Sequence, residues 1–175
     1  MKDDAPLLHD DMFTGGVKPK PEKPSNVANR VEFSLGDIDA GFAAADVVIE
    51  KDFTTEPVHQ GYIEPHAVVA DANPEGKVDI WCSSQGHFMV RTFVAGLLKI
   101  DMSKIKVTAA EIGGGFGGKT TVYLEPLAVM LSSKSGRPVR MVMSRDEVFR
   151  ASGPTSGAAM TIKMGAKQDG TIVAC

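Results

Sequence analysis

The sequence predicts an α+β fold. Segments that alternate apolar and polar residues, as strands do, are mixed with segments of helical periodicity, and no strict βαβ rhythm relates them. No internal repeat is visible. The chain has 175 residues, of which 43% are hydrophobic, and this suits one domain-sized core. We therefore expect mixed sheets with helices packed against them.

The N-terminal part of the chain differs from the rest. Residues 1–30 lack periodicity, and lysines alternate with prolines in "KPKPEKP", which favours an extended, solvated chain. We predict an arm or linker over 1–30 and a folded region over 31–175. That region should open with strands at 30–36 and 46–54 and a short helix between them, because the helix segment combines an acidic first turn with alanines.

A strand pair and a helix are expected next. Residues 73–76, "NPEG", have a turn composition between two strand patterns at 66–72 and 77–83. The helix after them carries an apolar stripe at i, i+3, i+4, i+7 and i+8, formed by Val90, Phe93, Val94, Leu97 and Leu98. A serine just before it, Ser83 or Ser84, is the expected N-cap.

The remaining elements surround a glycine-rich loop. A strand at 104–112 leads into the loop, and the helix after it should begin at Leu124 or Glu125, because Pro126 is tolerated only in a first turn. Gly136 should end this helix. The other predicted elements are a strand at 138–144, a short charged helix or turn at 145–152, and two strands around a turn at 168–170.

The composition argues against several classes of partner. The formal net charge of -3 argues against nucleic acid and against an anionic membrane surface. No apolar run approaches the roughly 18 residues of a membrane span, and the acidic first residues do not look like a secretory signal. Cys82 and Cys175 make no disulfide framework, so a cytoplasmic location is expected.

The segment "IGGGFGGKT", residues 112–120, carries the strongest chemical signal. Five glycines surround Phe116, so the backbone must adopt positive φ or let another group approach closely. Successive N–H groups in such a loop form a concavity that binds anions. A tight turn without a ligand is the simpler alternative, and the residues alone leave both open.

Two known nucleotide patterns overlap in this loop, the phosphate-binding G-x-x-x-x-G-K-[ST] and the dinucleotide-binding G-x-G-x-x-G. The residues that match one or both are Gly113, Gly115, Gly118, Lys119 and Thr120. Against the first pattern, no parallel βαβ rhythm precedes the loop, and Asp146, the best second acidic residue, is set apart from its apolar run. Against the second, no acidic residue ends the next strand. A nucleotide-binding protein is kept as an alternative.

A second candidate site is Gln85, where the strand at 77–83 gives way to the helix. A hydrogen bond at the helix start is the simpler explanation of a glutamine there. The nearby groups that could bind metal do not have a zinc-site spacing; they are Glu64, His66, Cys82 and His87. His59 and His66 are therefore expected to be surface or core histidines.

Four segments in this order and at these spacings carry a family resemblance: "GDIDAGFAAADVVIEKDF", "VHQGYIEPHAVVA", "SSQGHFMVRTFVAGLL" and "IGGGFGGKT". Together they resemble the molybdenum-binding subunit of the xanthine dehydrogenase and aldehyde oxidase family, the molybdenum hydroxylases. The resemblance runs from about Val31 to the end of the chain. Its most specific features are Phe116 inside the glycine run and Gln85 upstream of it.

The resemblance implies that the glycine loop closes over a molybdenum–molybdopterin cofactor. Gln85 would hydrogen-bond an oxo ligand of the metal, and Gly115, Phe116 and Gly117 would bring backbone against it. Gln85 and Phe116 should therefore converge around the molybdenum. Thr120 stands where relatives that oxidise xanthine carry a substrate-orienting glutamate, which favours an aldehyde or another heterocycle as substrate.

The resemblance also implies a larger assembly. The family's catalytic base lies near the far end of much longer subunits, so no catalytic residue is expected within this chain, which would be a fragment of a molybdopterin-binding domain. The parent enzyme hydroxylates a small molecule with water as oxygen source, and electrons leave through 2Fe-2S clusters to FAD on partner domains or subunits. Alone, the chain is expected to be inactive and to self-associate. A non-catalytic assembly module of such a complex is the alternative from another class.

Overall fold

A computed structural model of the protein describes residues 4–175 and divides them into two compact units. Unit 1 comprises the described residues up to Asp52 together with Thr161–Cys175, and unit 2 comprises Phe53–Met160. In chain order the elements are α1 (Ile38–Ala43), β1 (Val47–Thr55), β2 (Ala67–Ala72), β3 (Val78–Cys82), α2 (His87–Leu98), β4 (Ile105–Ala109), α3 (Glu125–Ser135), β5 (Val139–Val142), α4 (Arg145–Ala151), β6 (Ala158–Ala166) and β7 (Ile172–Ala174). The mixture of helices with mixed and antiparallel sheets confirms the predicted α+β class.

A three-stranded sheet in the order β1-β6-β7 is accompanied in unit 1 by the short helix α1, which the sequence also predicted. The Asp37 carboxylate begins α1 by accepting the N–H of Ala40 at 3.0 Å. The strand predicted at 30–36 is wrong. Val31, Phe33 and Leu35 alternate as in a strand, but they are exposed and no strand of the described chain pairs with them. Alternation of apolar and polar residues was therefore not sufficient to form a strand at 30–36.

The arm is mostly exposed in the residues that the structure describes, 4–30. It folds back on itself, because the N–H of Gly15 donates to the carbonyl of Ala28 at 2.9 Å and that of Ser25 to the carbonyl of Met12 at 2.9 Å. The assignment of 1–30 as an extended arm or linker stays a prediction. Lysine and proline favour solvation, while the backbone groups between them still find local partners.

A four-stranded sheet in the order β4-β3-β2-β5 organises unit 2. Strands β2 and β3 pair antiparallel around the predicted turn, and β3 and β4 pair parallel, with Cys82 opposite Ala109. The chain leaves β3 and β4 at the same edge of the sheet. As a result the segment that carries Gln85 and the glycine loop start side by side.

The core of unit 2 lies between this sheet and the helices α2 and α3. The inward side chains of β2, β3 and β4 alternate with exposed or half-buried ones, as expected for a sheet covered on one face. The buried core residues are Val68, Ala70, Ala72, Val78, Ile80, Cys82, Val90, Val94, Ala95, Ile105, Ala128 and Val129. None of the helices in the described part of the chain has the length and apolar character needed to span a membrane.

Helix α2 is where predicted, but its start and its buried face differ. Its N-cap is Gly86 rather than a serine, because the hydroxyl of Ser84 donates to the carbonyl of Lys119 at 3.2 Å. Val90 and Val94 are buried as expected, whereas Phe93 and Leu97 are exposed. Periodicity located the apolar stripe, but the elements packed on it determine which part is covered.

The elements after the glycine loop match the prediction closely. Helix α3 begins at Glu125 with Pro126 in its first turn and ends at Ser135, followed by Gly136 as its C-cap with φ 65°. Helix α4 opens with a capping box, in which Ser144 and Glu147 exchange side-chain to backbone hydrogen bonds.

Candidate functional site

The glycine loop connects β4 to α3 and has the backbone geometry that its composition predicts. Gly114 has φ 100° and Gly117 has φ 86°, both in the region that favours glycine. Phe116, with φ 50°, is a bulky residue in the left-handed region, which costs about 1 kcal/mol. The N–H of Gly118 donates to the carbonyl of Gly115 at 2.7 Å and closes a turn with Phe116 and Gly117 at its centre. Two central residues of positive φ are typical of a type I′ turn.

The other three glycines are required by close approach rather than by φ. A Cβ atom at Gly113 would lie 2.7 Å from Cβ of Glu64, and one at Gly115 would lie 2.5 Å from Oε1 of Gln85. A Cβ atom at Gly118 would lie 2.8 Å from the ring of Tyr62. The loop backbone thus packs closely against three side chains from other segments of unit 2.

Gln85 is bound to the loop through its side-chain oxygen. Oε1 accepts the N–H of Gly117 at 3.0 Å and the N–H of Lys119 at 3.1 Å. Because two donors face that atom, it is assigned as the amide oxygen, and Nε2 has no hydrogen-bond partner within the described residues. Gln85 does not cap α2, whose start has no side-chain cap, so the helix-start explanation is wrong.

The loop leaves several hydrogen-bond donors without an acceptor. Within the described residues, the N–H groups of Gly114, Gly115 and Phe116 make no hydrogen bond, whereas the N–H of Gly117 is bound to Gln85. Gly115 is buried, and a buried N–H without a partner is rare. We call these N–H groups and Nε2 of Gln85 the donor set of the loop.

Lys119 does not face this donor set. Only 1% of it is exposed, and its ammonium lies 2.7 Å from Oε2 of Glu64 and 4.9 Å from the ring centre of Tyr62. A lysine that binds phosphate must reach its ligand, so this side chain does not support the nucleotide-binding alternative. Thr120 is exposed, and its hydroxyl donates to the carbonyl of Gly117 at 3.0 Å.

Glu64 ties the beginning of the loop to Lys119. Its Oε2 atom accepts the N–H of Gly113 at 2.8 Å as well as the lysine ammonium. Partial burial opposes ionisation of this carboxyl, but the hydrogen bonds from Lys119 and Gly113 outweigh it and hold the pKa below its usual range. Glu64 is therefore an anionic anchor of the loop. Sequence reasoning considered it only as a metal ligand.

A buried polar network adjoins the ring of Tyr62. Its hydroxyl lies 2.7 Å from Nε2 of His66 and donates to Ser152 at 3.2 Å, and Ser152 in turn donates to the carbonyl of Val148. Burial, reinforced by the charge of Lys119, lowers the pKa of His66 to about 4. His66 is thus a neutral core histidine near pH 7, and core was one of the two places, surface or core, that the sequence predicted for it.

No group of three or more His, Cys, Asp or Glu residues in the described chain is arranged to hold a metal ion. Cys82 is buried, and burial followed by the charge of Glu125 raises the pKa of its thiol to about 12. A neutral thiol is a poor metal ligand. The site therefore offers hydrogen-bond donors rather than metal ligands.

Comparison with known proteins identifies the family. The profile of a family described as "Molybdopterin cofactor-binding domain" matches residues 19–175. The chain belongs to this family, whose members include the molybdenum-binding subunits of molybdenum hydroxylases.

Individual relatives agree with this assignment. The chain is 31% identical over 174 residues to the nicotinate dehydrogenase large molybdopterin subunit of Eubacterium barkeri, covering 99% of this chain and 38% of that protein. It is 31% identical over 147 residues to mouse xanthine dehydrogenase/oxidase, covering 82% of this chain and 11% of that protein. The chain thus spans well under half the length of these relatives.

Solved structures show the same fold. A copper- and molybdenum-containing CO dehydrogenase in its carbon-monoxide-reduced state matches with a TM-score of 0.67 and 32% identity, over 98% of this chain and 22% of that chain. The aldehyde oxidoreductase from Desulfovibrio gigas matches with a TM-score of 0.64 and 29% identity, over 78% of this chain and 15% of that chain.

Proposed function

We propose that this chain forms part of the molybdenum-cofactor-binding region of a molybdenum hydroxylase that oxidises an aldehyde or a heterocyclic substrate with water as oxygen source. The observation that carries the proposal is the orientation of Gln85. Its oxygen is held by two loop N–H groups, and its side chain lies against Gly115. Within the described residues the neighbouring N–H groups of Gly115 and Phe116 make no hydrogen bond.

The residues fit a ligand that is rich in oxygen acceptors. A Cβ atom at Gly117 would meet no atom within 4 Å, and Phe116 is 73% exposed, so the outer side of the turn is open to a ligand. Gln85, Gly115 and Phe116 would hold an oxo group by hydrogen bonds, while Gly117 serves by holding Gln85. When bound, the molybdenum cofactor supplies the redox chemistry, and the protein supplies orientation and electrostatics.

The substrate proposal rests on Thr120. In relatives that oxidise xanthine a longer acidic side chain is expected at this position, and here the hydroxyl is engaged with the carbonyl of Gly117. A short, locally bonded side chain cannot orient a purine by charge. An aldehyde or a heterocycle that needs no acidic contact suits the position better.

The proposal includes partners and inactivity of the chain alone. Glu64, the carboxylate bonded to the loop, is committed to Lys119 and Gly113, so it is not a free base for proton transfer. The base would come from the remaining segments of the molybdenum subunit. Iron–sulfur clusters of the 2Fe-2S type and FAD, on partner domains or subunits, would accept the electrons.

The test is to isolate the complex that forms around an affinity-tagged chain. Its molybdenum would be measured by elemental analysis, and its pterin by fluorescence after oxidation. We expect about one molybdenum per chain and dye reduction that depends on an aldehyde or heterocycle. An intact complex without molybdenum would contradict the proposal and favour the assembly module.

A further inference from the structure

Glu64 and Lys119 form an ion pair on the inner side of the glycine loop. The lysine Nζ lies 2.7 Å from Oε2 of Glu64, and 1% of the lysine side chain and 31% of the glutamate side chain are exposed. The same carboxylate oxygen accepts the N–H of Gly113 at 2.8 Å. Through Glu64, the pair holds the beginning of the loop.

The same lysine holds the end of the loop. Its N–H donates to Oε1 of Gln85 at 3.1 Å, and its carbonyl accepts the N–H of Gln85 at 2.9 Å. The side chain of Lys119 is thus bound to Glu64 while its main chain is bound to Gln85. We call these three residues, Glu64, Gln85 and Lys119, the loop clamp.

An ion pair with a buried lysine and a half-buried glutamate is a weak source of stability. The cost of removing both charges from water offsets their attraction, and well-packed apolar side chains often stabilise a core equally well. Geometry is a better explanation, because the carboxylate accepts two directed hydrogen bonds, from the N–H of Gly113 and from the ammonium of Lys119.

We infer that Glu64 and Lys119 are positioning residues whose ion pair fixes both ends of the glycine loop and thereby directs the free Nε2 donor of Gln85. The inference rests on the proposed function in one respect only, namely that the Nε2 donor faces the cofactor. The clamp itself is a property of the folded chain and can be tested without cofactor.

The test uses the 175-residue chain with Lys119→Met or Glu64→Gln. Hydrogen exchange of the loop amides is followed by NMR or mass spectrometry, and the side-chain amide resonances of Gln85 by NMR. We expect loop exchange about ten-fold faster, because a charge-assisted hydrogen bond is lost. The Gln85 side-chain resonances should shift in both variants.

A matched control is the exposed ion pair between Glu50 of β1 and Lys163 of β6, which are 3.6 Å apart. Lys163→Met and Glu50→Gln make the same chemical changes at a solvated pair, which contributes little. We expect neither change to alter loop exchange or the Gln85 resonances.

A milder variant keeps the test usable if Lys119→Met or Glu64→Gln does not fold. Glu64→Asp keeps the charge but shortens its reach, so it should weaken the bond to Gly113 in a chain that still folds. If a folded clamp variant leaves loop exchange and the Gln85 resonances unchanged, or changes them no more than the controls do, the inference is overturned.

The same variant separates this inference from the proposed function. Glu64→Asp in the complex should reduce the molybdenum content relative to the Glu50→Gln control. A loosened loop with normal molybdenum content would leave the clamp standing and contradict the cofactor role of the loop. An unchanged loop in a complex that contains molybdenum would contradict only the clamp.

Discussion

The side chain of Gln85 fills the space that a Cβ atom at Gly115 would need, since that atom would lie 2.5 Å from Oε1 of Gln85. The glycine and the glutamine are therefore matched in shape. Neither position can change without consequence for the other.

Gly115→Ala should displace Gln85 and break its hydrogen bonds to Gly117 and Lys119. We expect a loss of about 1–3 kcal/mol in the free energy of unfolding, the usual cost of overpacking and of lost hydrogen bonds. Urea denaturation of the isolated chain measures it.

The control is Gly96→Ala in α2, where a Cβ atom would meet no atom within 4 Å. It should be neutral or raise the free energy of unfolding by up to about 1 kcal/mol, because alanine favours the helix. Equal effects of the two substitutions would contradict the proposed match between Gly115 and Gln85.

Gln85→Ala in the complete enzyme should lower turnover while the protein still folds. Loss of one oriented donor costs roughly 10²–10³-fold in oxyanion sites, and the effect here should be smaller because the backbone donors of the loop remain. Steady-state kinetics measures the change, with the exposed Gln168→Ala as a control that should have none. Unchanged turnover in Gln85→Ala would remove this residue from the site.

ATP or GTP with magnesium should not stabilise the chain, because the Lys119 ammonium is buried against Glu64. A ligand at 100 times its Kd would add about 2.7 kcal/mol to the free energy of unfolding. Thermal denaturation with increasing nucleotide tests this. A saturable rise in Tm that Lys119→Met abolishes would restore the nucleotide-binding alternative.

The free energy of unfolding should fall as the pH is lowered from about 6.5 towards 4. Burial and the charge of Lys119 depress the pKa of His66 from its ordinary value of 6.5 to about 4, so in this range the unfolded chain takes up a proton that the folded chain does not. The contribution of His66 is complete above pH 6.5 and lost as the pH falls. Glu64, whose pKa is also lowered, adds a further loss only below its ordinary value of 4.5.

His66→Gln should flatten this dependence between pH 4.5 and 6.5, because glutamine keeps a polar partner for Tyr62 without titrating. Urea denaturation at several pH values measures it, and the exposed His9→Gln is the control. An equally steep dependence in His66→Gln would show that another group is responsible.

The isolated chain should contain no stoichiometric molybdenum, reduce no dye with aldehydes, and self-associate. Phe33 and Leu35 are 94% and 95% exposed, and large contiguous apolar patches tend to be covered by association. Elemental analysis, a dye-reduction assay and sedimentation test the three statements. Stoichiometric metal with turnover from this chain alone would mean that the site is complete within it.

Local sequence predicted the secondary structure around the site but not the long-range side-chain contacts that hold the loop. The strand before the loop, the helix start near Pro126 and the positive φ values follow from propensity and glycine content, which act over a few residues. The burial of Lys119 against Glu64 joins residues 55 positions apart, and no local pattern encodes it. Phe93 was expected on the buried face of α2 but is exposed, because burial of a helix residue also depends on elements distant in sequence.

The spacing of the clamp residues along the chain also bears on the order of folding. Glu64 and Lys119 are separated by 55 positions, and Gln85 and Gly117 by 32. Contacts between distant residues must overcome the entropy of closing long loops, so they tend to form after local structure. The glycine loop should therefore take its native shape only together with other long-range contacts of unit 2, such as the pairing of β2 with β5, and not as a local turn of a nascent chain.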